Sequence, residues 1–348
     1  MRDVAALARV SLKTASRVIN GEPSVAVALA ERVRWAASAL DYRPNLAARS
    51  LRSSDGRTRT IGLILENAAN PFSAALHRAV EDAARARGVA VLAGSVDEDP
   101  ARERELVLAL VSRRADGLII VPSGDDQSYL AAEQRSGVSI VFVDRRPQLL
   151  RADAVLSDNV AGARSAVEHL LAVGHRRIAF LGNLQGIATS NERFSGYAEA
   201  LREAGITLDE ELVRFDLHDV PTAEAAVVSL LTGPGPTALF TTQNLVTEGA
   251  LYALRSLGLS HQIAVVGFDD ISLADLLDPP LTVVAQNPAQ IGTTACQLLF
   301  KRMDGDTSPP QELLIETRLV VRGSGEIPPN GPLGTQARTG RDLLKRPG

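Results

Sequence analysis

Asp3-Val4-Ala5-Ala6-Leu7-Ala8-Arg9-Val10-Ser11-Leu12-Lys13-Thr14-Ala15-Ser16-Arg17-Val18-Ile19-Asn20 opens the chain and decides how the rest is read. Val4, Leu7 and Ala8 recur at helical spacing, and Ala15, Val18 and Ile19 repeat the pattern after a short break. Two short amphipathic helices joined so tightly make a helix-turn-helix. The turn is Arg9-Val10-Ser11: Val10 plugs the angle between the helices, and Ser11 caps the second, its hydroxyl oxygen accepting free backbone N–H groups. That second helix then presents Leu12, Lys13, Thr14, Ser16 and Arg17 outward, the face a helix in the major groove offers to DNA. An ordinary amphipathic pair, with Arg17 in a surface salt bridge, competes with this reading, because short motifs carry false positives.

Charge along the chain favours the first reading. Lys and Arg number 37 and Asp and Glu 41 among 348 residues, a net charge of −4. Residues 1–60 nevertheless hold eleven basic side chains against five acidic ones, and the remainder 26 against 36. A basic head on an acidic body fits a polyanion-binding module joined to a part with another task. The chain is 45% apolar and long enough for two or three domains. It has no run of eighteen apolar residues and opens on charged residues instead of a hydrophobic signal core, so the expectation is a cytoplasmic protein without a membrane partner. Cys296 is the single cysteine, which excludes an intramolecular disulfide and a multi-thiolate metal site. His77, His169, His175, His218 and His261 show no ligand spacing, and there is no glycine-rich phosphate loop or nucleophile elbow. No metal, no cofactor and no catalysis are expected.

The spacing predicts a third helix over 27–40, with Leu29, Val33, Ala36, Ala37 and Leu40 on one side, followed by Tyr42-Arg43-Pro44-Asn45-Leu46-Ala47-Ala48-Arg49-Ser50-Leu51-Arg52. With "DVAALARVSLKTASRVIN" and "DYRPNLAARSLR" in this order, the chain resembles the LacI/GalR family of bacterial transcription regulators, from residue 2 to about 325. The resemblance implies that Leu12, Lys13 and Arg17 reach base edges, that Thr14 and Ser16 face phosphates, and that Asn20 belongs to the same surface. It also implies a hinge helix capped by Asn45, with Ala48 on the DNA side and Leu51 as a wedge in the minor groove. A helix that short is unstable alone and needs its dimer mate, so the implied partners are a double-stranded operator and a second identical subunit. Arg9 and Asp41 depart from the family's turn glycines and Ala26 from its capping serine. No Thr or Ser precedes Asp3, as though the true start lay a few codons upstream.

From Thr60 short β-rich runs alternate with amphipathic helices, the pattern of parallel sheets with crossover helices. One set comprises strands at 61–65, 89–92, 117–121 and 140–143 with helices at 72–88, 101–114 and 126–136. A second repeats the plan with strands at 178–181, 213–215, 238–241 and 264–267 and helices at 191–205, 222–231 and 246–257. The expected fold is an N-terminal all-α helix-turn-helix headpiece plus an α/β two-lobed, periplasmic-binding-protein-like effector domain of two parallel-sheet subdomains. Residues 1–44 form the headpiece and 45–59 the hinge and linker. Residues 60–325 form the effector-binding and dimerisation domain, with an N-lobe of about 60–148 and 285–311 and a C-lobe of about 149–284 and 312–325. The Pro- and Gly-rich stretch 326–348 reads as a disordered tail.

Ligands of open α/β sheets bind beyond the carboxyl ends of the strands. Polar residues stand there in both halves: Asn70 with Phe72, Asp144 and Arg145 after "IVFVD", Arg193 in "NERFSGY", Gln243 and Asn244 after "LFTT", Asp269 after "VVGFD", and Gln286 in "LTVVAQN". Paired donors and acceptors of this kind suit a hydroxyl-rich ligand. Each could equally be a strand-end cap or a bond between lobes. The resemblance implies that this cleft holds an effector, a sugar or related metabolite, and that Gln243-Asn244 replaces the family's usual pair there. The chain thus reads as a sequence-specific transcriptional regulator, a repressor gated by a small molecule. The alternative is a sugar-binding receptor of a transport system, against which the first sixty residues argue.

Overall fold

The computed structural model describes residues 1–19, 25–42 and 57–329. It divides into two compact units, residues 1–60 with 114–116 and the remainder of the chain. Asn20, Asn45, Ala48 and Leu51, named above for DNA contact, lie outside the described residues.

In the first unit, α1 (Arg2–Leu7), α2 (Leu12–Ile19) and α3 (Val27–Ala39) close around Val4, Ala5, Ala8, Ala15, Val18, Ala30, Val33 and Ala36, with Val10 partly buried against them. Its buried side chains are all Val or Ala among the described residues, which lets the helices approach closely, and Met1, Ile19 and Tyr42 pack around them. Leu7, expected inside, is 42% exposed. The buried positions of α1 run 4, 5 and 8, a stripe that leaves residue 7 on the flank. Ser11 Oγ accepts from Thr14 N at 3.0 Å and so caps α2. Arg9 (φ 51°) and Asp41 (φ 42°) both take the left-handed conformation that the missing glycines would have adopted freely, at a cost of roughly 1–2 kcal/mol for an L-residue. Arg32 Nη2 donates to Ala8 O at 2.5 Å, holding α3 to the end of α1.

The second unit has two lobes. The first begins with β1 (Thr60–Leu65), α4 (Pro71–Ala86), β2 (Ala90–Ser95), α5 (Pro100–Ser112), β3 (Gly117–Ile120), α6 (Ala131–Arg135), β4 (Ser139–Val143) and β5 (Asp153–Ser157). The second lobe follows with α7 (Asn159–Val173), β6 (Ile178–Leu181), α8 (Ala188–Glu203), β7 (Val213–Arg214), α9 (Val220–Leu230), β8 (Ala238–Thr241), α10 (Asn244–Leu257), β9 (Ala264–Phe268) and β10 (Thr282–Ala285). The chain then returns through α11 (Pro288–Met303) and β11 (Glu312–Ile315) to the first lobe and ends its last strand, β12 (Arg318–Val320), in the second. Strand order is β11-β5-β4-β3-β1-β2 in one sheet and β12-β10-β9-β8-β6-β7 in the other. β12 runs antiparallel to β10, while β6 to β10 run parallel to one another. Strands such as β3, β8 and β9 are buried at every position, as sheets covered by helices on both faces require.

Two boundaries differ from those expected. β5 pairs with β4 and β11 pairs with β5, so residues 153–157 and 312–315 belong to the first lobe. A lobe boundary falls where the chain leaves a sheet, and hydropathy alone does not say which sheet a buried strand joins. The tail also starts too early at Glu326. Glu326 Oε1 meets His169 Nε2 at 2.6 Å, Ile327 O meets His175 Nε2 at 2.8 Å, and Ile327 packs on the core of the second lobe. Burial lowers the pKa of His175 and keeps it neutral, so its Nε2–H donates to that carbonyl.

The chain passes between lobes at 157–159, 285–288 and 315–318, and the three passages are bonded together. Ser157 Oγ donates to Gln286 Oε1, and Asp158 N to Ile315 O at 3.0 Å. Within the second lobe, α7 and α8 touch backbone to backbone: a Cβ on Gly196 would stand 2.3 Å from Val160 O. Gly196→Ala must push the helices apart, and the expected loss of stability is about 1–3 kcal/mol, the usual range for overpacking. Denaturant titration checks this.

Candidate functional site

On the first unit, Leu12 is 49% exposed, and Lys13 and Arg17 are exposed on the same helix. Thr14 and Ser16 are half-buried, and Thr14 Oγ1 shares a hydrogen bond with Ser11 Oγ at 2.8 Å. The arrangement is a short helix whose apolar side is locked by Ala15 and Val18 while its other side carries a leucine and two cations.

The second unit holds its candidate site between the lobes, at the carboxyl ends of the strands. Asp144 follows β4 and Asp269 follows β9, and the two are placed alike. Each is left-handed (φ 68° and 76°), and each donates its N–H to the next strand, to Val155 O at 3.0 Å and to Val284 O at 2.9 Å. Strained backbone at equivalent points of two lobes is the kind of feature that clusters at ligand sites. Asp269 is fully enclosed; burial raises its pKa, while Arg193 and the hydrogen bond from Gln286 Nε2 (2.6 Å) oppose the rise. Gln286 therefore links Asp269 to Ser157 in a passage between lobes.

Arg193 projects from α8 and is 6% exposed. Its Nε donates to Asn159 Oδ1 at 2.9 Å and its Nη1 to Thr242 O at 2.5 Å, and the guanidinium lies 3.9 Å from the centre of the Phe268 ring. Burial lowers its pKa, with Asp269 and Asp144 working the other way. Arg145 is held differently, with both terminal nitrogens on Glu98 at 2.6 Å. Burial works against that charge, but the bonds it donates to Glu98 and the negative charge there outweigh it and the pKa rises. Arg145 Nε has no hydrogen-bond partner and lies 3.4 Å from Asp144 Oδ2.

Asn70 caps α4, accepting from Phe72 N at 3.0 Å, and also accepts from Asn244 Nδ2 at 2.8 Å across the two lobes. Here the alternative reading, a bond between lobes, describes what Asn244 does. Gln243 is 7% exposed and its Oε1 lacks a partner. Phe72 leans on the core of the first lobe. Of the nine sequence-derived positions, Asn70 is thus bonded to Asn244, and Asp144, Arg145, Arg193, Asp269 and Gln286 act on one another through charge or hydrogen bonds, while no hydrogen bond or ion pair among the described residues joins Gln243 or Phe72 to those five.

Four residues of this region were missed. Glu98 neutralises Arg145, and Glu192 bonds Arg146 and Asn159 Nδ2 (2.8 Å), while Asn159 orients Arg193. Nothing in the local sequence marks these, since their partners are distant in the chain. Glu66 is the fourth. It stands immediately after β1, and the strand-end rule that found Asp144 would have found it. Among the described residues no group of His, Cys, Asp and Glu could hold a metal ion, and no helix is long and apolar enough to cross a membrane.

Comparison with known proteins places this geometry. Residues 1–45 match the model of bacterial regulatory proteins of the lacI family, and residues 167–325 that of the periplasmic binding protein-like domain. The ribose operon repressor of Haemophilus influenzae is 32% identical over 93% of this chain and 98% of its own. A solved complex of the transcriptional regulator CelR with cellobiose is 33% identical, covering 93% of this chain and 98% of that one, with a TM-score of 0.70. The Lac repressor dimer bound to operator and the anti-inducer ONPF is 26% identical over 93% and 98%, with a TM-score of 0.82.

Proposed function

The chain belongs to the lacI family of bacterial regulatory proteins, and from that premise we propose that it is a transcriptional repressor which binds operator DNA as a homodimer and answers to a small hydroxylated effector. One observation carries the reading: a helix presenting Leu12, Lys13 and Arg17 belongs to the same chain as a two-lobed body that gathers Asp144, Arg145, Arg193, Asp269 and Gln286. We assign residues 1–44 to reading DNA and 45–59 to the hinge. Arg17 and Lys13 donate to guanine edges, Leu12 meets a thymine methyl, the expected Thr14 and Ser16 contacts are to phosphate, and Asn20 belongs to the same DNA-binding surface. A sugar fits the cleft because its hydroxyls can both donate to the carboxylates and accept from the amide and guanidinium groups.

Gating follows from the passages between lobes. An effector shifts the lobe arrangement only by binding one arrangement better than another. Gln286, bonded to Asp269 on one side and Ser157 on the other, ties the cleft to those passages. Coupling energies of this kind are typically about 1–3 kcal/mol, or roughly 5–150-fold in operator affinity. For the second subunit, α10 and the segment after β9 offer an apolar strip of Leu251, Tyr252, Leu273, Leu276 and Leu277, of which Tyr252, Leu273 and Leu276 are more than half exposed. Relatives matched across nearly their whole length are regulators of transcription, which weighs against an enzyme and against the transport receptor.

The test is a gel-shift screen of genomic fragments over a range of salt, repeated with sugars added. The expected result is a sequence-specific shift that weakens as salt rises, because counterions are released on binding, and that one class of sugar changes. A purified dimer that shifts no fragment at low ionic strength would overturn the proposal.

A further inference from the structure

Glu66 occupies the strand-end position after β1 that Asp144 occupies after β4 and Asp269 after β9. Among the described residues its carboxylate has one hydrogen-bond partner, Asn70 Nδ2 at 3.4 Å. Glu98, Arg145 and Asp144 surround it from its own lobe, and Asp269 acts on it from the other. The two cations here are engaged in part, and of their nitrogens only Arg145 Nε and Arg193 Nη2 are left without a hydrogen bond among the described residues. Arg145 gives both terminal nitrogens to Glu98, and Arg193 gives Nε and Nη1 to Asn159 and Thr242. Beyond those two donors, what the walls leave open is acceptor oxygen: Glu66, and Asp144, whose side chain takes no hydrogen bond among the described residues, lies 3.4 Å from Arg145 Nε and belongs to a residue only 9% exposed.

Five carboxylates, Glu66, Glu98, Asp144, Glu192 and Asp269, face three guanidinium groups, Arg145, Arg146 and Arg193. Enclosed charge without a counter-charge is costly. The buried Nε of Arg145 and Oε1 of Gln243, both without hydrogen-bond partners, are a second sign that the cleft is completed by a ligand. A neutral sugar brings hydroxyl donors but no charge. An ammonium group brings three donors and the missing positive charge.

We propose that Glu66 is a specificity-determining contact of this cleft and that, with Asp144 and Asp269, it selects an effector carrying an ammonium group on a hydroxylated ring, an amino sugar, over the uncharged parent sugar. This rests on the cleft being the effector site. Burial first, then the like charges of Glu98, Asp144 and Asp269, raise the Glu66 carboxyl to about 7, against the pull of Arg145. The empty cleft therefore holds a proton near neutral pH, and an arriving ammonium displaces it. The sign on stability follows. A carboxyl whose pKa is raised on folding contributes stability that is complete below its unfolded value of 4.5 and lost as pH rises through about 7. The ligand-free protein should thus lose melting temperature between about pH 4.5 and 7 and level off above, and Glu66→Gln should flatten that slope.

The deciding experiment is calorimetry on the whole chain with glucosamine, galactosamine and mannosamine beside glucose, galactose, mannose and ribose, in two buffers of different ionisation enthalpy. The tightest-binding compound is expected to carry the amine, to bind at least tenfold better than its parent hexose, and to give a net release of protons at pH 7, smaller than the roughly half proton that Glu66 gives up because the weakly basic sugar amine takes some of it back. In Glu66→Gln the tenfold ratio should fall toward one; the wild-type proton release decides the matter should that variant fail to fold. An uncharged sugar that binds equally well, or a ratio that survives in the variant, overturns the proposal and leaves the effector reading standing. If neither class binds or alters operator affinity, both fail.

Discussion

Arg193→Met is expected to abolish the effector response and to lower the melting temperature of the ligand-free protein. The side chain is buried and ties together three elements, through Asn159 at the start of α7, Thr242 O after β8 and the ring of Phe268 at the end of β9. Removing it strips two buried acceptors of their donor and leaves Asp269 without its counter-charge. A buried acceptor left without its donor costs about 1–3 kcal/mol, and two are left here. At roughly 2–4 °C per kcal/mol for a body of this size, the melting point should drop on the order of 10 °C. Effector affinity should fall at least a hundredfold, since that corresponds to losing about 2.7 kcal/mol, one or two charge-assisted hydrogen bonds. Thermal unfolding and operator titration, each with and without effector, measure the two effects separately. Arg193→Lys keeps the charge beside Asp269 but lacks the planar fork, so it should recover more stability than effector response. A methionine variant that melts normally and still answers effector would remove Arg193 from the site.

Arg17→Ala is expected to cut specific operator affinity while leaving non-specific binding nearly intact. Arg17 is exposed on α2 beside Lys13, with Leu12 at the helix start. An arginine that grips guanine with two bonds is worth about 1–3 kcal/mol of discrimination, or roughly 5–150-fold. A phosphate contact instead weakens all sequences alike and reduces the slope of log affinity against log salt by about 0.9. Titrations of operator and scrambled duplex at several salt concentrations distinguish the two. An unchanged ratio of specific to non-specific affinity would reassign Arg17 to the backbone.

Much of this molecule is written locally. Apolar spacing in residues 4–19 marks two helices and Ser11 marks the cap between them, because a helix start needs a side-chain acceptor and Ser11 supplies it to Thr14 N. Strand ends located Asp144 and Asp269, because parallel sheets leave their polar residues where the chain turns out of the hydrophobic run. Leu7 shows the limit, for a six-residue helix has too few positions to define its buried stripe, and the stripe fell on Val4, Ala5 and Ala8. Tertiary structure alone decided the rest. β5 and β11 joined the first sheet through hydrogen bonds to partners far off in sequence, and the same long-range closure pairs Glu98 with Arg145, Asn159 with Arg193 and Asn244 with Asn70. Which cation stays free for a ligand depends on which carboxylate reaches it first. Periodicity fixes which face of a helix or strand is buried, but the partner of a buried charge is chosen only when distant segments meet.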